Sequence, residues 1–325
     1  MRKQNQKYLK PIIIVGDVHL RGSSTRFRKD DLFSSQLNKL KWISKRAKEI
    51  DAQAVIFLGD LGDTWDWKIS VINRVAEVFR AYPCKAYTIL GNHDVPGRNP
   101  NLWKDTGLGI LDSLGLITVI DQLSSRPCGY FRSLPYFPIE NFAFFAFHSD
   151  SDETKNLLEG KYNNLDLSFS VNIKKVALIH APIGNETTQF STGYKDVTIK
   201  NFDYAFFGDI HDGWNPYKSD TGCILSNPGC LTRLTKKEIN KKPMIAVLDS
   251  TGSINYEEVP HLKPEECFDI EKIDRDKSEI GKGFAAAFAR KSIKDDIDPK
   301  EFVERVGTAA GYSKESIEKL RDEIK

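Results

Sequence analysis

No long hydrophobic run occurs in this chain. The longest strongly apolar stretch is Phe142–Phe147, far short of the roughly 20 residues a membrane helix needs, so no membrane role is expected. The first residues, Met1, Arg2 and Lys3 and then Gln and Asn, lack the apolar core of a secretory signal. Cysteine is sparse and scattered. Cys84, Cys128, Cys223, Cys230 and Cys267 include no CxxC pair, which argues against a zinc knuckle or a disulfide scaffold and suits reduced thiols in a cytoplasmic protein. An excess of one charge is missing as well. The 47 Lys and Arg against 45 Asp and Glu leave +2, which neither demands nor excludes a polyanionic partner. There is no internal repeat and no low-complexity tract.

What remains is an ordinary globular composition, 40% apolar and 28% charged over 325 residues, enough for one sizeable domain plus an appendage or two small domains. Residues 11–15 form a short apolar run suited to a buried strand. Phe33, Leu37, Leu40, Ile43, Ala47 and Ile50 recur at spacings of three and four, one face of a helix with Asp30 or Asp31 as N-cap. Residues 54–58 read as the next strand. Ile69, Ile72, Val75, Phe79 and Tyr82 read as one side of a second helix, and residues 86–90 as a third strand. Later apolar runs cover 142–147, 175–179, 204–207, 223–225 and 244–248, with little helical pattern between them, so antiparallel pairing is expected for some. The pattern as a whole predicts an α/β fold, a two-layered sheet core with helices outside.

Near Pro260–Pro264 the character changes. Residues 1–261 read as the main domain and 262–325 as a charge-rich C-terminal region with three helix-like stretches. One is rich in Ala and Phe over 283–291. One starts at Pro299 and stops at Gly307. One is capped by Ser313 and carries Ile317, Leu320 and Ile324 on one face.

The chemistry sits after the strands. Asp17 and His19 follow the first, Asp60 and Asp63 the second, and Asn92, His93 and Asp94 the third. His180 follows the run at 175–179, and Asp209 and His211 follow 204–207. Four of the five groups come through a glycine, which lets the backbone turn sharply, and sites in open α/β sheets form beyond the carboxyl ends of strands. An isolated Asp-x-His is usually a cap beside a surface histidine, and an isolated Asn-His-Asp is usually a turn. Five such signals in order, each behind a strand, are a constellation. Asp17, Asp60 and Asp209, His19, His180 and His211, and Asn92 are too many and too oxygen-rich for one zinc. They suit two ions sharing a carboxylate, with manganese, magnesium or iron favoured over copper. Two metals about 3.5–4 Å apart serve in-line attack on a phosphoester.

Asp17-x-His19, Gly59-Asp60-x-x-Asp63, Gly91-Asn92-His93-Asp94, His180 and Gly208-x-x-His211 resemble the five motifs of the calcineurin-like metallophosphoesterases, over roughly residues 11–230. The resemblance implies a two-sheet metallophosphoesterase sandwich flanked by helices, with a small C-terminal capping region. It implies one metal on Asp17, His19, Asp60 and His211 and another on Asp60, Asn92, His180 and Asp209, with Asp60 bridging. Manganese is the expected ion and magnesium the alternative. His93 would act as the acid near the leaving oxygen, oriented by Asp94. One position departs: Asp209 stands where the family has histidine.

The substrate is not chosen by these motifs. Asn227-Pro228-Gly229-Cys230-Leu231-Thr232-Arg233 resembles the Pro-Gly-Ser-x-x-Arg segment of SbcD-type nuclease subunits, bacterial and phage exonuclease and endonuclease components of DNA repair and recombination. Cys230 replaces the serine. A hairpin turn explains the same residues structurally. Residues 1–50 carry a net charge of +9 and the middle of the chain about −5. Arg21, Arg26, Arg28, Arg98, Arg233, Lys236 and Lys237 fall in loops beside the motifs, where DNA phosphates would run. Lys29, Lys241 and Lys242 lie in the same loops. The SbcD-type resemblance further implies an SbcC-like coiled-coil ATPase partner docked by the terminal helices, and a homodimer within a heterotetramer. A stand-alone phosphatase or cyclic-nucleotide phosphodiesterase and a non-catalytic DNA-binding subunit are the alternatives. His148, His261, Trp65 and Trp67 are read as structural or surface residues.

Overall fold

The first strand shows how the sandwich is built. Ile12–Val15 (β1) is wholly buried, so it reads as a continuous apolar run rather than an alternating one. Ile13 and Val15 point to a helix layer, and Ile12 and Ile14 to a core shared with a second sheet. In the computed structural model the described residues are 10–120, 129–131, 134–163, 173–249 and 251–272. The chain divides into two units, 1–263 and 264–325. The described part of the second opens with a short helix, Pro264–Cys267. The stretches at 283–291 and 299–307 and the stripe Ile317, Leu320 and Ile324 lie outside the described residues.

Within the first unit, β2 (Ala54–Phe57), β3 (Lys85–Thr88), β4 (Thr118–Val119), β14 (Met244–Leu248) and β15 (Ile254–Glu258) join β1 in a sheet ordered β15-β14-β1-β2-β3-β4. The second sheet is ordered β12-β13-β11-β8-β7-β6-β5. Its strands are β5 (Gly129–Phe131), β6 (Leu134–Ile139), β7 (Phe142–Phe147), β8 (Lys174–Ala181), β11 (Tyr204–Asp209), β12 (Trp214–Lys218) and β13 (Ile224–Asn227). A two-stranded ribbon, β9 (Ile183–Gly184) with β10 (Thr192–Gly193), stands apart. The fold is thus mixed α/β with two multistranded sheets, as expected.

Strand direction positions the site. β1, β2, β3 and β4 run parallel, and so do β7, β8, β11 and β13. The antiparallel pairing expected for some later runs is found at β14 against β1 and β15, at β7 against β6 and at β13 against β12. Parallel pairing brings the carboxyl ends of β1, β2 and β3 to one edge of the first sheet, and those of β8 and β11 to one edge of the second.

The helix α1 (Leu32–Glu49) buries Leu37, Leu40, Ile43 and Ala47, and Asp31 caps it by accepting from the Ser34 N–H at 3.1 Å. α2 (Ile69–Arg80) buries Ile72, Val75 and Phe79. Ile69, expected on that face, is 77% exposed because it sits in the first turn beyond the packed region. Sequence patterning misses β6, β12 and β15, along with the short helices α3 (Gly107–Ser113) and α4 (Asp152–Leu158). β6 contains two prolines. β12 and β15 are polar edge strands, half in water, with no apolar run to mark them.

Phe144, Phe206, Leu178 and Ile56 meet between the sheets. Phe206→Ala there is expected to cost about 3–5 kcal/mol, read from denaturant unfolding; a loss under about 1 kcal/mol would contradict this core.

Candidate metal centre

Three ligand-type residues sit in left-handed backbone conformations that non-glycine residues seldom adopt: His19 (φ 50°), Asp60 (φ 47°) and Asp209 (φ 87°). Each follows or closes a strand of the parallel set, and the strain is held by the loops around it. The N–H groups of Val18 and His19 donate to the Asp60 carbonyl at 3.0 and 2.9 Å, locking the first two motif loops together. The Asp209 N–H donates to the Asp17 carboxylate at 3.1 Å, tying the last motif to the first. A Cβ on Gly91 would lie 2.0 Å from Asp60 Oδ1, so only glycine lets the third loop approach that carboxylate.

The expected ligands converge. His180 Nε2 lies 3.3 Å from Asn92 Oδ1, 3.5 Å from Asp60 Oδ2 and 3.7 Å from Asp209 Oδ1. His19 Nε2 lies 3.0 Å from His211 Nε2 and 3.8 Å from both Asp17 Oδ2 and Asp60 Oδ2. His211 Nε2 is 3.9 Å from Asp17 Oδ2. Most of these separations are too long for hydrogen bonds; donor atoms spaced this way surround a common centre. Asp17, Asp60 and His180 form one such group, and His19 and His211 belong to another that reaches Cys230.

The donor chemistry fits divalent cations. His19 Nδ1 is buried without a hydrogen-bond partner, and burial drives this imidazole down to about 3, so the ring is neutral with one nitrogen lone pair to give. Burial also works against charge on His180, yet Asp60, Asp17 and Asp209 outweigh it and raise that ring well above its ordinary value. Burial lifts Asp17 to about 6, and burial raises Asp209 as well. Asp60 goes the other way: burial opposes its ionisation, but His180 and His19 hold it below the usual carboxylate range. A pocket that charges a buried imidazole and strains its carboxylates selects a cation.

Tautomers are set from outside. His180 Nδ1 meets the Leu58 carbonyl at 2.7 Å, which leaves Nε2 facing the carboxylates. His211 Nδ1 meets Glu238 Oε1 at 2.5 Å. The other oxygen of Glu238 accepts from the N–H groups of Leu234 and Thr235 at 2.7 and 2.8 Å, in a capping box. Burial opposes ionisation of Glu238, but the His211 bond holds it down to about 2. Sequence reasoning missed Glu238. Its signal is Thr235-x-x-Glu238, a capping pattern, which does not reveal that the carboxylate also serves a histidine 27 residues away.

Other expected site residues fall differently. His93 is exposed at the mouth; its N–H donates to Asp60 Oδ1 at 2.8 Å and its Nδ1 meets the Asp63 carbonyl at 2.7 Å. Asp94 does not orient it. That carboxylate is buried and accepts from the N–H groups of Gly62 and Gly91 at 3.1 and 3.0 Å, stapling two motif loops, and burial raises it to about 7. Two expected DNA contacts are also corrected. Arg233 is 2% exposed and donates to the carbonyls of Ile239 and Leu262 at 2.9 and 2.5 Å. The Arg28 side chain is 4% exposed, bidentate to Asp30 at 2.8 and 2.6 Å, and donates to the Arg233 carbonyl. Loop carbonyls claim Arg233, and a carboxylate and one loop carbonyl claim Arg28, before any phosphate can reach them. Arg21 pairs with Asp63 at 3.2 Å, and Arg98 stands exposed 3.6 Å from Asp150. Arg26 and Lys237 are exposed and Lys236 half-buried. His148 is buried and accepts the Leu90 N–H at 3.1 Å, just before the Gly-Asn-His-Asp loop. His261 Nδ1 meets the Val259 carbonyl at 2.9 Å. Trp67 is buried in the helix-side core, and Trp65 is 41% exposed.

The calcineurin-like phosphoesterase family profile matches residues 10–213. This chain belongs to the calcineurin-like phosphoesterases. Its activity is of the metallophosphoesterase type, metal-dependent hydrolysis of phosphoesters, in a family that binds two divalent ions. Among solved structures, a Thermus thermophilus protein is similar at 12% identity and TM-score 0.44, over 78% of this chain and 100% of that one. A dimetal phosphatase from Danio rerio is similar at 11% identity and TM-score 0.46, over 78% and 97%. The comparison with curated proteins finds no match. Among the described residues no helix is long and apolar enough to cross a membrane.

Glu238→Gln is expected to weaken divalent-metal binding about 10- to 100-fold, measured by calorimetric titration of the metal-free protein. Affinity equal to wild type would remove Glu238 from the support of His211.

Proposed function

We propose that the chain is a two-metal DNA nuclease, an exonuclease or endonuclease subunit of an SbcC–SbcD-like repair and recombination complex. The observation that carries this reading is the shared ring of Phe27. Arg26, from the loop after the first motif, lies 5.4 Å from its centroid, and Lys236, from the loop after the Pro-Gly segment, lies 5.7 Å from it. Two basic loops from opposite ends of the domain sequence thus meet at one rim. Thr25 Oγ1 donates to the Leu234 carbonyl at 3.2 Å, which holds them together. The Pro-Gly segment itself is built into the site. Cys230 N–H donates to the His211 carbonyl at 2.9 Å, and Leu231 N–H to the Asp17 carbonyl at 2.8 Å. That placement supports the SbcD-type resemblance, because the segment borders the first and last motifs.

In this reading Asp17, His19, Asp60 and His211 hold one ion and Asp60, Asn92, His180 and Asp209 the other, with manganese the expected species. Bound ions supply Lewis acidity and a nucleophile at neutral pH. The protein's own part is to fix the donors by strained loops, to keep Nε2 of His180 and His211 inward, and to hold His93 at the mouth by the Asp63 carbonyl. There His93 can give a proton to the leaving oxygen. Arg21, Arg26, Arg98, Lys236 and Lys237 attract the strand's phosphates. The ATPase partner, the dimer within a heterotetramer and a cytoplasmic location belong to the same proposal.

A manganese-dependent assay tests the reading. Linear DNA should be cleaved, and His93→Ala should abolish cleavage while both ions stay bound. Hydrolysis of small phosphoesters alone would replace the reading with a phosphatase. Asp209→Ala should weaken one ion and lower turnover by about two orders of magnitude or more; wild-type metal affinity would take Asp209 out of the ligand set. Arg26→Ala and Lys236→Ala should each reduce the log–log salt slope of DNA binding by about 1.

A further inference from the structure

A second cavity, of about 710 Å³, opens beside the metal centre, lined among others by Asp212, Trp214, Tyr217, Pro228, Lys241 and Lys242. Asp212 directly follows the expected ligand His211, and Pro228 belongs to the Pro-Gly segment. Two buried donors in this wall have no hydrogen-bond partner: Nζ of Lys241 and Nε1 of Trp214. Oδ1 of Asp212 lies 3.9 Å from Nζ of Lys241, beyond hydrogen-bond reach, on a side chain 80% exposed, and the buried Glu238 carboxylate attracts the ammonium without bonding it. A buried ammonium with its hydrogen bonds unmade is costly, and a ligand bringing anionic acceptor oxygens relieves that cost. Lys242, on the same wall, is already paired with Glu258 at 2.9 Å, so the charge open to a ligand is that of Lys241. The wall is also aromatic. Trp214 stacks on Tyr194 at 5.1 Å and 12°, Tyr217 meets Tyr194 edge-on at 5.2 Å, and Tyr217 is half-buried. Acceptor oxygens beside a flat ring describe a nucleotide.

We propose that this cavity holds a nucleotide of the DNA strand flanking the scissile position, its phosphate on Lys241 and its base against the aromatic wall. This placement rests on the nuclease reading above, and it adds a binding subsite outside the metal centre. Trp214 supplies a neutral donor to the same ligand.

The test is binding rather than cleavage, on the full-length chain loaded with manganese and again in chelator. The probes are thymidine monophosphate, thymidine, inorganic phosphate and a short single-stranded oligothymidylate. Expected results are tighter binding of thymidine monophosphate than of thymidine or phosphate, and a loss of about 10-fold or more in Lys241→Met for the monophosphate and the oligonucleotide. Lys241→Arg should stay within about 3-fold of wild type, and Trp214→Phe should lose about 3-fold or more. Both should hold with and without manganese. Equal binding of thymidine and its monophosphate overturns the proposal, and so does wild-type affinity in Lys241→Met or an effect confined to the free mononucleotide. Intact linear DNA alongside Lys241-dependent oligonucleotide binding supports the subsite and overturns the nuclease reading instead.

Discussion

Two aspartates, Asp17 and Asp60, are each only 2% exposed and stand within 4 Å of imidazoles rather than of Lys or Arg. Burying carboxylates this way is unfavourable unless positive charge joins them, and most of the surrounding architecture answers to that constraint. Parallel strands deliver the carboxylates and histidines to one end of each sheet. Left-handed turns at His19, Asp60 and Asp209 bend those side chains inward, at a cost the buried cores offset. Gly91 removes a Cβ where Asp60 needs the space. Asp94 commits its carboxylate to the N–H groups of two neighbouring loops rather than to His93.

The segment after β13 binds the first and last motifs into one rigid body of loops. A Cβ on Gly16 would lie 2.2 Å from the Gly229 carbonyl, so the Pro-Gly turn packs directly on the first motif's backbone. Gln36 reaches from α1 to the carbonyls of Val18 and His19 at 3.1 and 2.6 Å and to Thr232. Glu238 closes the arrangement on His211. Substitutions in residues 228–241 therefore reach the metal centre through backbone position and through the Glu238 side chain. The same segment supplies Lys236 to the basic rim and Lys241 to the adjoining cavity, so the metal geometry and these two cations share one structural support.

Much of this was legible in sequence. The strands at residues 12–15, 54–57 and 142–147 are buried on both faces, and such strands are written as unbroken apolar runs. α1 carries its own cap at Asp31, and the five polar groups stand directly behind strands. Edge strands β12 and β15 left no such mark, because a strand half in water needs no apolar pattern. Ile69 looked like part of a buried stripe, but a helix end can leave the core while its periodicity continues. Arg28 and Arg233 looked like phosphate contacts because a run of basic residues says nothing about which carbonyls lie nearby. The loop carbonyls that hold them come from residues 233, 239 and 262.

By itself the sequence determined which residue types stand at the ends of which strands, since chain order and apolar spacing are local properties. Only tertiary structure decided what those residues do to one another. The Glu238–His211 bond, the Asp94 staple, the Asp63 carbonyl behind His93 and the Phe27 ring shared by Arg26 and Lys236 all join distant segments. Their existence depends on strand order, register and backbone torsion. Contacts of that kind are set by how two sheets pack and how loops close over their ends, and no spacing along a chain encodes them.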